Sequence, residues 1–378
     1  MKLAKLVLKN LLRRKGRTLL SIGGIASALM LMLLVQSLSI GLEQAMSGSE
    51  AARTLVVYRK NRYCPQTSNL PDVYRSRIEE VPGVESVLPV QVYLNNCRAS
   101  LDLVTFQGAP AESLLAARDL RVVEGDEAAF LAQDDAALVG IDFAKKKGLS
   151  SGDVFQFGGI DVKVAGIFES TQKTEQSLIL THLDFLRYSM PMPRDGSVTQ
   201  YEVKVADAQS AKDVAAQIDA LFATAEEPTD TRPQIAFLER ATKDLAEILR
   251  FGRWLGFACV IVVLSLIANT IFMSMQERVR EFGVFRTLGF QDTQVAGLVI
   301  SEAVALAACG ALLGVGGALL MIATTHLSIG TEGVTVAFAA TTELLLHGLA
   351  VALAVGLLAG IMPAVSCMRI SITESLRS

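Results

Sequence analysis

The densest set of chemistry-bearing side chains in this 378-residue chain is the stretch MQERVREFGVFRTLGFQDTQV, residues 275–295. On a helix, Glu277 shares a face with Arg280 and Glu281, and Arg278 neighbours Glu281 at three-residue spacing. Gly283 and Gly289 allow a bend or a close approach, and Arg286 lies between them. Carboxylates and guanidiniums in this pattern form ion pairs and docking faces. Read alone, the stretch suits either a short helix docking to a partner or an ordinary solvated connector.

Bond-breaking chemistry finds little support. Gly148-Leu149-Ser150-Ser151-Gly152 matches the GxSxG nucleophile elbow, which needs a strand before it and a helix after. Here Lys145–Lys147 precede it, reading as a solvated face, and a strand pattern follows, so the segment reads as a turn. No GxxxxGK[ST] phosphate loop, HExxH or paired CxxC occurs, and there are only three histidines. The chain is therefore read as no enzyme, with no catalytic, metal or cofactor residues of its own.

The elements that must position the charged stretch are membrane spans. Hydrophobic residues make up 51% and charged residues 19%, with mean hydropathy +0.41. That composition excludes a disordered chain, and no short repeat period marks a fibrous one. Four runs are long enough to cross a hydrocarbon core, which takes about 20 apolar residues. They give transmembrane helices at 18–42, 250–275, 295–322 and 344–368. Read as a cleaved signal peptide, the first run is too long and has no small-residue cleavage site after it. Polar groups within the spans are few (Gln36, Ser265, Asn269, Thr270, His347), a poor lining for a hydrophilic pore. Glu302 is the one acid of the third span. It lies near a predicted end, so a plain interfacial role is expected of it. Gly310 and Gly314, and Gly356 and Gly360, stand four apart as in helix-packing motifs, a weak signal in glycine-rich spans.

Orientation follows from flanking cations. Residues 1–17 carry seven Lys/Arg and no acid, predicting a cytoplasmic, amphipathic, basic arm. Counting spans then puts 43–249 outside, 276–294 inside, the short loop 323–343 outside and the tail 369–378 inside. The N- and C-termini are both cytoplasmic on this reading, in a multi-pass plasma (inner) membrane protein. Residues 43–249 hold 31 Asp/Glu against 21 Lys/Arg, the wrong sign for nucleic-acid binding.

The outside segment alternates strand and helix patterns. Strands are predicted at 54–59, 81–94, 101–109 and 198–207, and a hairpin at 153–170 turns at Gly158-Gly159. Helices are predicted at about 71–80 and at Ser210–Phe222, and a helical run from Gln234 leads into the second span. The fold class is thus a membrane protein of four transmembrane α-helices, with an α+β extracytoplasmic domain inserted between helices 1 and 2. An oxidising compartment permits a disulfide between Cys64 and Cys97, although spacing alone does not establish one. Cys259, Cys309 and Cys367 read as packing residues in or beside spans.

The charged loop resembles the FtsX/MacB family of ABC-transporter permeases. The pattern ER–x–x–E–x–G–x–x–R–x–x–G is matched by Glu277, Arg278, Glu281, Gly283, Arg286 and Gly289. SEAV at 301–304, NLLRRKGRTLLSIGGIA at 10–26 and the tail Pro363-Ala364, Arg369-Ile370, Glu374-Ser375-Leu376-Arg377 are also similar to family segments. Ile372 stands where many members have Pro, and Phe282 where an aliphatic residue is usual. The resemblance implies a type VII, mechanotransmission permease: a dimer, expected here to be a homodimer, with two copies of a separate ABC ATPase that bind the ATP and Mg. It implies that Glu277, Arg278, Arg280, Glu281 and Arg286 serve ATPase coupling, with Gly283 and Gly289 as geometric supports. The expected work is efflux or extraction of a lipophilic or periplasmic substrate. It is either MacB-like export, with a periplasmic adaptor and outer-membrane channel, or lipoprotein release to a carrier. Alternatives are an FtsX-like regulator of a cell-wall hydrolase, a peptide-sensing permease, or a membrane-anchored binding protein without an ATPase.

Overall fold

The computed structural model describes residues 13, 15–46, 53–62, 67–95, 103–191, 195–207, 209–325, 327–331 and 334–369. The basic arm up to Leu12, both Cys64 and Cys97, and the tail from Ile370 on lie outside the described residues. The chain starts with α1 (Lys15–Met46), β1 (Thr54–Arg59), β2 (Leu70–Pro71), α2 (Tyr74–Glu79), β3 (Val84–Leu94), β4 (Thr105–Ala109), α3 (Ala111–Ala117) and β5 (Leu120–Gly125). It continues through α4 (Glu127–Ala132), β6 (Ala136–Gly140), α5 (Ile141–Lys147), β7 (Val154–Phe157), β8 (Ile160–Ser170), β9 (Leu178–His182) and α6 (Leu183–Ser189). Then come β10 (Ser197–Val198), β11 (Gln200–Val205), α7 (Ala211–Leu221), β12 (Thr229–Pro233) and α8 (Gln234–Ala241). It ends with α9 (Lys243–Gln276), α10 (Val279–Thr287), α11 (Asp292–Thr325), β13 (Ser328–Thr331), β14 (Val334–Ala337) and α12 (Thr342–Arg369). The described residues divide into two compact units, one within Met1–Ser39, Ile248–Thr324 and Ala339–Ser378, the other within Ile40–Glu247 and Thr325–Phe338.

The first unit is helical. Four helices, α1, α9, α11 and α12, are long and apolar enough to cross a membrane. Its core joins Ile25 and Leu29 of α1 to Val263, Ile267 and Ile271 of α9, Leu306 and Ala307 of α11, and Val355 and Ala359 of α12. Small residues set how closely the backbones approach. A Cβ added to Gly310 would lie 2.4 Å from Ile25 Cγ2, and one on Gly314 would lie 2.6 Å from the Ala26 carbonyl oxygen. On α12, a Cβ at Gly356 would meet Ala307 Cβ at 2.8 Å, and one at Gly360 would meet Ala303 Cβ at 3.1 Å. The four-residue glycine spacings are therefore helix contacts, with α11 in the middle, facing α1 and α12. On α9, Ser265 donates to the Ile261 carbonyl (3.0 Å) and Thr270 to the Leu266 carbonyl (2.8 Å), and the Thr270 hydroxyl lies 2.9 Å from that of Ser21 on α1.

The second unit is α+β. Its main sheet runs β12-β1-β11-β3-β4-β9-β6-β8-β5, with β7 pairing β8 at the predicted hairpin. The pairs β4–β9 and β6–β8 are parallel; the other pairs along the sheet are antiparallel. Gly158 and Gly159 close the β7–β8 hairpin at φ +63° and +85°, the left-handed pair a two-residue turn demands. One core packs α2 and α7 on β1 and β11 through Tyr74, Ile78, Val203, Ile218 and Phe222. Two others cover opposite faces of the remaining strands, with Leu138 and Phe168 on one side and Val139, Phe106 and Ile179 on the other. β6 is buried along its whole length, so its sequence AALVG is uniformly apolar.

The structure departs from the sequence reading in four places. That reading assigned nothing to 111–147, where the structure has α3, β5, α4, β6 and α5, nor to β9, α6 and β12. The helical run from Gln234 is not unbroken. It stops at Thr242 (φ −99°, ψ 3°), whose N–H and hydroxyl both donate to the Leu238 carbonyl. The segment 323–343 is more than a connector, because β13 and β14 pair within it as an antiparallel hairpin. The strand predicted at 198–207 is two strands, β10 and β11.

The glycine contacts generate a prediction. Gly314→Val would drive side-chain atoms into the α1 backbone and cost about 1–3 kcal/mol by overpacking. Gly316, which faces open space, tolerates Ala. Thermal unfolding of the detergent-solubilised chain should show a lower midpoint for the first variant and an unchanged one for the second.

Candidate functional site

Gln276 ends α9, and the chain turns at Glu277 and Arg278 into the short α10. Leu288 closes α10 by donating its N–H to the Val284 carbonyl, and Gly289 follows at φ +93°, a backbone position that favours glycine. Three residues later Asp292 opens α11. A short helix thus occupies the loop between α9 and α11, and Gly289 supplies its exit. Gly283 lies beside Phe282 on its buried face.

Of its charges, Arg278 turns inward. Arg278 is only 5% exposed; its Nη1 donates to Glu302 Oε1 of α11 at 2.8 Å, and its Nε donates to Glu281 Oε2 at 2.8 Å. The same guanidinium lies 5.3 Å from the centre of the Phe282 ring, a cation–π contact. Burial opposes the arginine's charge, but the hydrogen bonds to Glu281 and Glu302 outweigh it, and its pKa rises above the ordinary value. Glu281 also accepts from Arg13 (2.8 Å), and Glu277 accepts from Arg17 (3.3 Å). Arg286 points elsewhere: it pairs with Asp292 at 2.8 Å and donates to the Cys367 carbonyl at 3.0 Å. That carbonyl lies in the last turn of α12, where a helix has no acceptor-satisfying N–H of its own. The loop is stitched to α1, α11 and α12 by arginines.

The structure therefore joins Arg278 and Glu281 in one network with Arg13 and Glu302, pairs Glu277 with Arg17, sends Arg286 to a further contact, and leaves Arg280 exposed. Sequence reasoning missed Arg13, Arg17, Glu302 and Asp292 as partners. Glu302 lines a polar cavity with Arg13, Arg17, Thr18 and Ser274. It is buried and paired with Arg278. A lone acid within an apolar span must find a counter-charge, and that rule alone would have pointed to a nearby arginine. Also missed was the apolar part of the outer face: Val284, Leu288 and Phe290 are exposed by 46%, 71% and 47%, and Arg280, Val284 and Leu288 follow at helical spacing.

A second buried charge sits in the α+β unit. Arg118, after α3, donates through Nη2 to Gln107 (2.7 Å) and to Glu202 (3.1 Å), and lies 3.6 Å from Glu175. It ties β4 and the turn before β9 to β11. The GxSxG segment is a turn, as expected: Gly148 caps α5 at φ +68°, and Ser150 N–H bonds Asp153.

An ion-stitched loop between the second and third of four apolar helices, with a large α+β unit inserted between the first and second, defines a multi-pass membrane permease with an inserted head domain. Residues 18–221 match the MacB-like periplasmic core domain, and 254–372 match the FtsX-like permease C-terminal domain. The chain belongs to the FtsX/MacB-like family of ABC-transporter permeases. No curated protein matches it. Similar solved structures include the extracellular domain of the noncanonic ABC-type transporter YknZ from Gram-positive bacteria (17% identity, 47% of this chain and 99% of that one, TM-score 0.35). Another is the periplasmic region of MacB from Actinobacillus actinomycetemcomitans (11% identity, 53% and 97%, TM-score 0.36). A third is a domain of a permease protein from Porphyromonas gingivalis (14%, 49% and 91%, TM-score 0.32).

Two predictions come from the network. Arg278→Met alone removes the guanidinium hydrogen-bonded to buried Glu302 and should cost about 3–5 kcal/mol, whereas Arg278→Met with Glu302→Leu should recover most of the loss. Unfolding midpoints of the two variants check this. The second concerns pH. The hydrogen bond from Arg278, against the opposing effect of burial, holds the Glu281 carboxyl below the usual glutamate range. Its contribution is full above the ordinary value of about 4.3 and is lost as pH falls through the lowered native value. A fluorophore at Thr287 should report an unchanged environment from neutrality to about pH 4.3 and loosening only below it.

Proposed function

We propose that this chain is the permease subunit of an ABC transporter in which a separate ATPase drives movements of the extracytoplasmic α+β unit. The observation that carries the reading is the division of the 276–294 loop into two faces. One face is tied by ion pairs to α1 and α11 and by a hydrogen bond to α12, and the other presents Arg280, Val284 and Leu288 outward. An element gripped from outside and fixed inside transmits a push. Glu277 and Arg280 are the exposed charges at its start, while Arg278, Glu281 and Arg286 position it. The basic flank of α1 supports a cytoplasmic location for this loop and both termini.

The packed bundle core supports transmission without solute crossing between the spans. The substrate would then be taken from the periplasm or the outer leaflet, for export through an adaptor and outer-membrane channel or for lipoprotein release to a carrier. Two ATPase copies and a second permease protomer complete the assembly. The exposed apolar residues of α9, such as Phe251, Trp254 and Phe257, face lipid or that protomer.

Leu288→Glu places a charge at the centre of the proposed grip and should weaken ATPase association by about 2–4 kcal/mol, with the chain still inserted. Co-purification of the ATPase with the variant at wild-type yield would overturn the docking face. Side-specific labelling that finds residue 287 and the α+β unit on the same side of the bilayer would overturn the orientation.

A further inference from the structure

We propose that the cavity between α1, the end of α9 and the start of the coupling loop binds a phosphate group, supplied by the headgroup of an anionic phospholipid. The inference rests on the orientation proposed above, which puts this end of the bundle at the cytoplasmic leaflet. The cavity measures about 130 Å³, far more than one water needs. Arg13, Arg17 and Arg278 line it, with the hydroxyl-bearing Thr18 and Ser274 beside them and Glu277 and Glu302 in the wall.

The charges are unequally committed. Arg278 and Glu302 are buried and cancel each other at 2.8 Å. Arg13 gives Nη1 to Glu281, which is outside the lining, and Arg17 gives Nη2 to Glu277 over a long 3.3 Å. A guanidinium carries five N–H donors in a planar fork suited to phosphate. The remaining donors of Arg13 and Arg17 have no partner among the described residues. The walls beside the cavity fit the rest of a lipid. Leu19 and Leu20 follow Thr18 and are 67% and 79% exposed, and Phe272 and Met273, just before Ser274, are 38% and 43% exposed. Polar donors next to outward apolar side chains, where α1 turns from basic to apolar, match a headgroup with its acyl chains. A phosphate on Arg17 competes with Glu277, so occupancy would free that carboxylate at the start of the coupling loop.

The test uses the purified full-length chain in detergent, with native mass spectrometry counting retained lipid. Dioleoyl phosphatidylglycerol, dioleoyl phosphatidylcholine and inorganic phosphate are the probes. Phosphatidylglycerol should be retained about tenfold over phosphatidylcholine. Arg17→Gln should erase the preference, Arg17→Lys should keep most of it, and millimolar phosphate should compete. Glu277→Gln should tighten binding, a gain that misfolding would not produce. Equal retention of the two lipids, or an unchanged preference in Arg13→Gln/Arg17→Gln, overturns the proposal. Phosphate binding with no lipid preference overturns the lipid source and leaves a site for a free anion. ATPase co-purification is scored separately. If the lipid preference is lost while the ATPase still binds, only this inference fails. If the ATPase is lost while the lipid preference persists, only the docking reading fails.

Discussion

The geometry of the membrane unit depends on one buried ion pair. Glu302 is buried where α11 meets the loop, and a buried carboxylate is tolerable only with a counter-charge at hydrogen-bond distance. Arg278 supplies it at 2.8 Å. Because Arg278 lies at the first turn of the loop, meeting Glu302 fixes where α10 begins relative to α11. With that position set, Glu281 falls within reach of Arg13, and Glu277 within reach of Arg17. Arg286 then meets the last carbonyls of α12. Such a pair contributes more to a unique arrangement than to net stability, since desolvation of both charges offsets most of their attraction.

How much of this was legible in the sequence depended on the range of the signal. Span positions were readable, because an unbroken apolar run of about 20 residues fits a membrane helix and little else. The β7–β8 hairpin was readable because Gly-Gly between alternating runs is a local requirement. The loop helix and its exit at Gly289 were readable from spacing and from the family pattern. Contacts between distant residues were not. Arg13 and Glu281 are 268 positions apart, and nothing local in either marks the partner. The elements in 111–147 escaped for a different reason. They are five to seven residues long, at most two helical turns, too short for a periodic pattern to stand out, and β6 is apolar on both faces. Gly310 and Gly314 show the limit of a motif: the spacing suggested packing, but only the backbone approach of α1 shows against which helix.

The α+β unit uses the same device by itself. Arg118 is buried, and its pKa is held up by Glu202 and Glu175 against the cost of burial. Its partners come from β4, from β11 and from the turn before β9, so one side chain ties together strands that are distant in sequence. In both units the buried arginine sits where separate pieces of chain must keep register.

That parallel bears on how a permease of this family would transmit force. A coupling element must be stiff on the side that moves the membrane helices and accommodating on the side that meets its partner. Ion pairs with defined geometry suit the first task, because their energy falls steeply when the partners separate within a low-dielectric surrounding. Apolar side chains such as Leu288 and Val284 suit the second, because burial is non-directional and survives small changes in docking angle. On α10 the ion pairs of Arg278 and Arg286 suit the first task, and the outward Val284 and Leu288 suit the second.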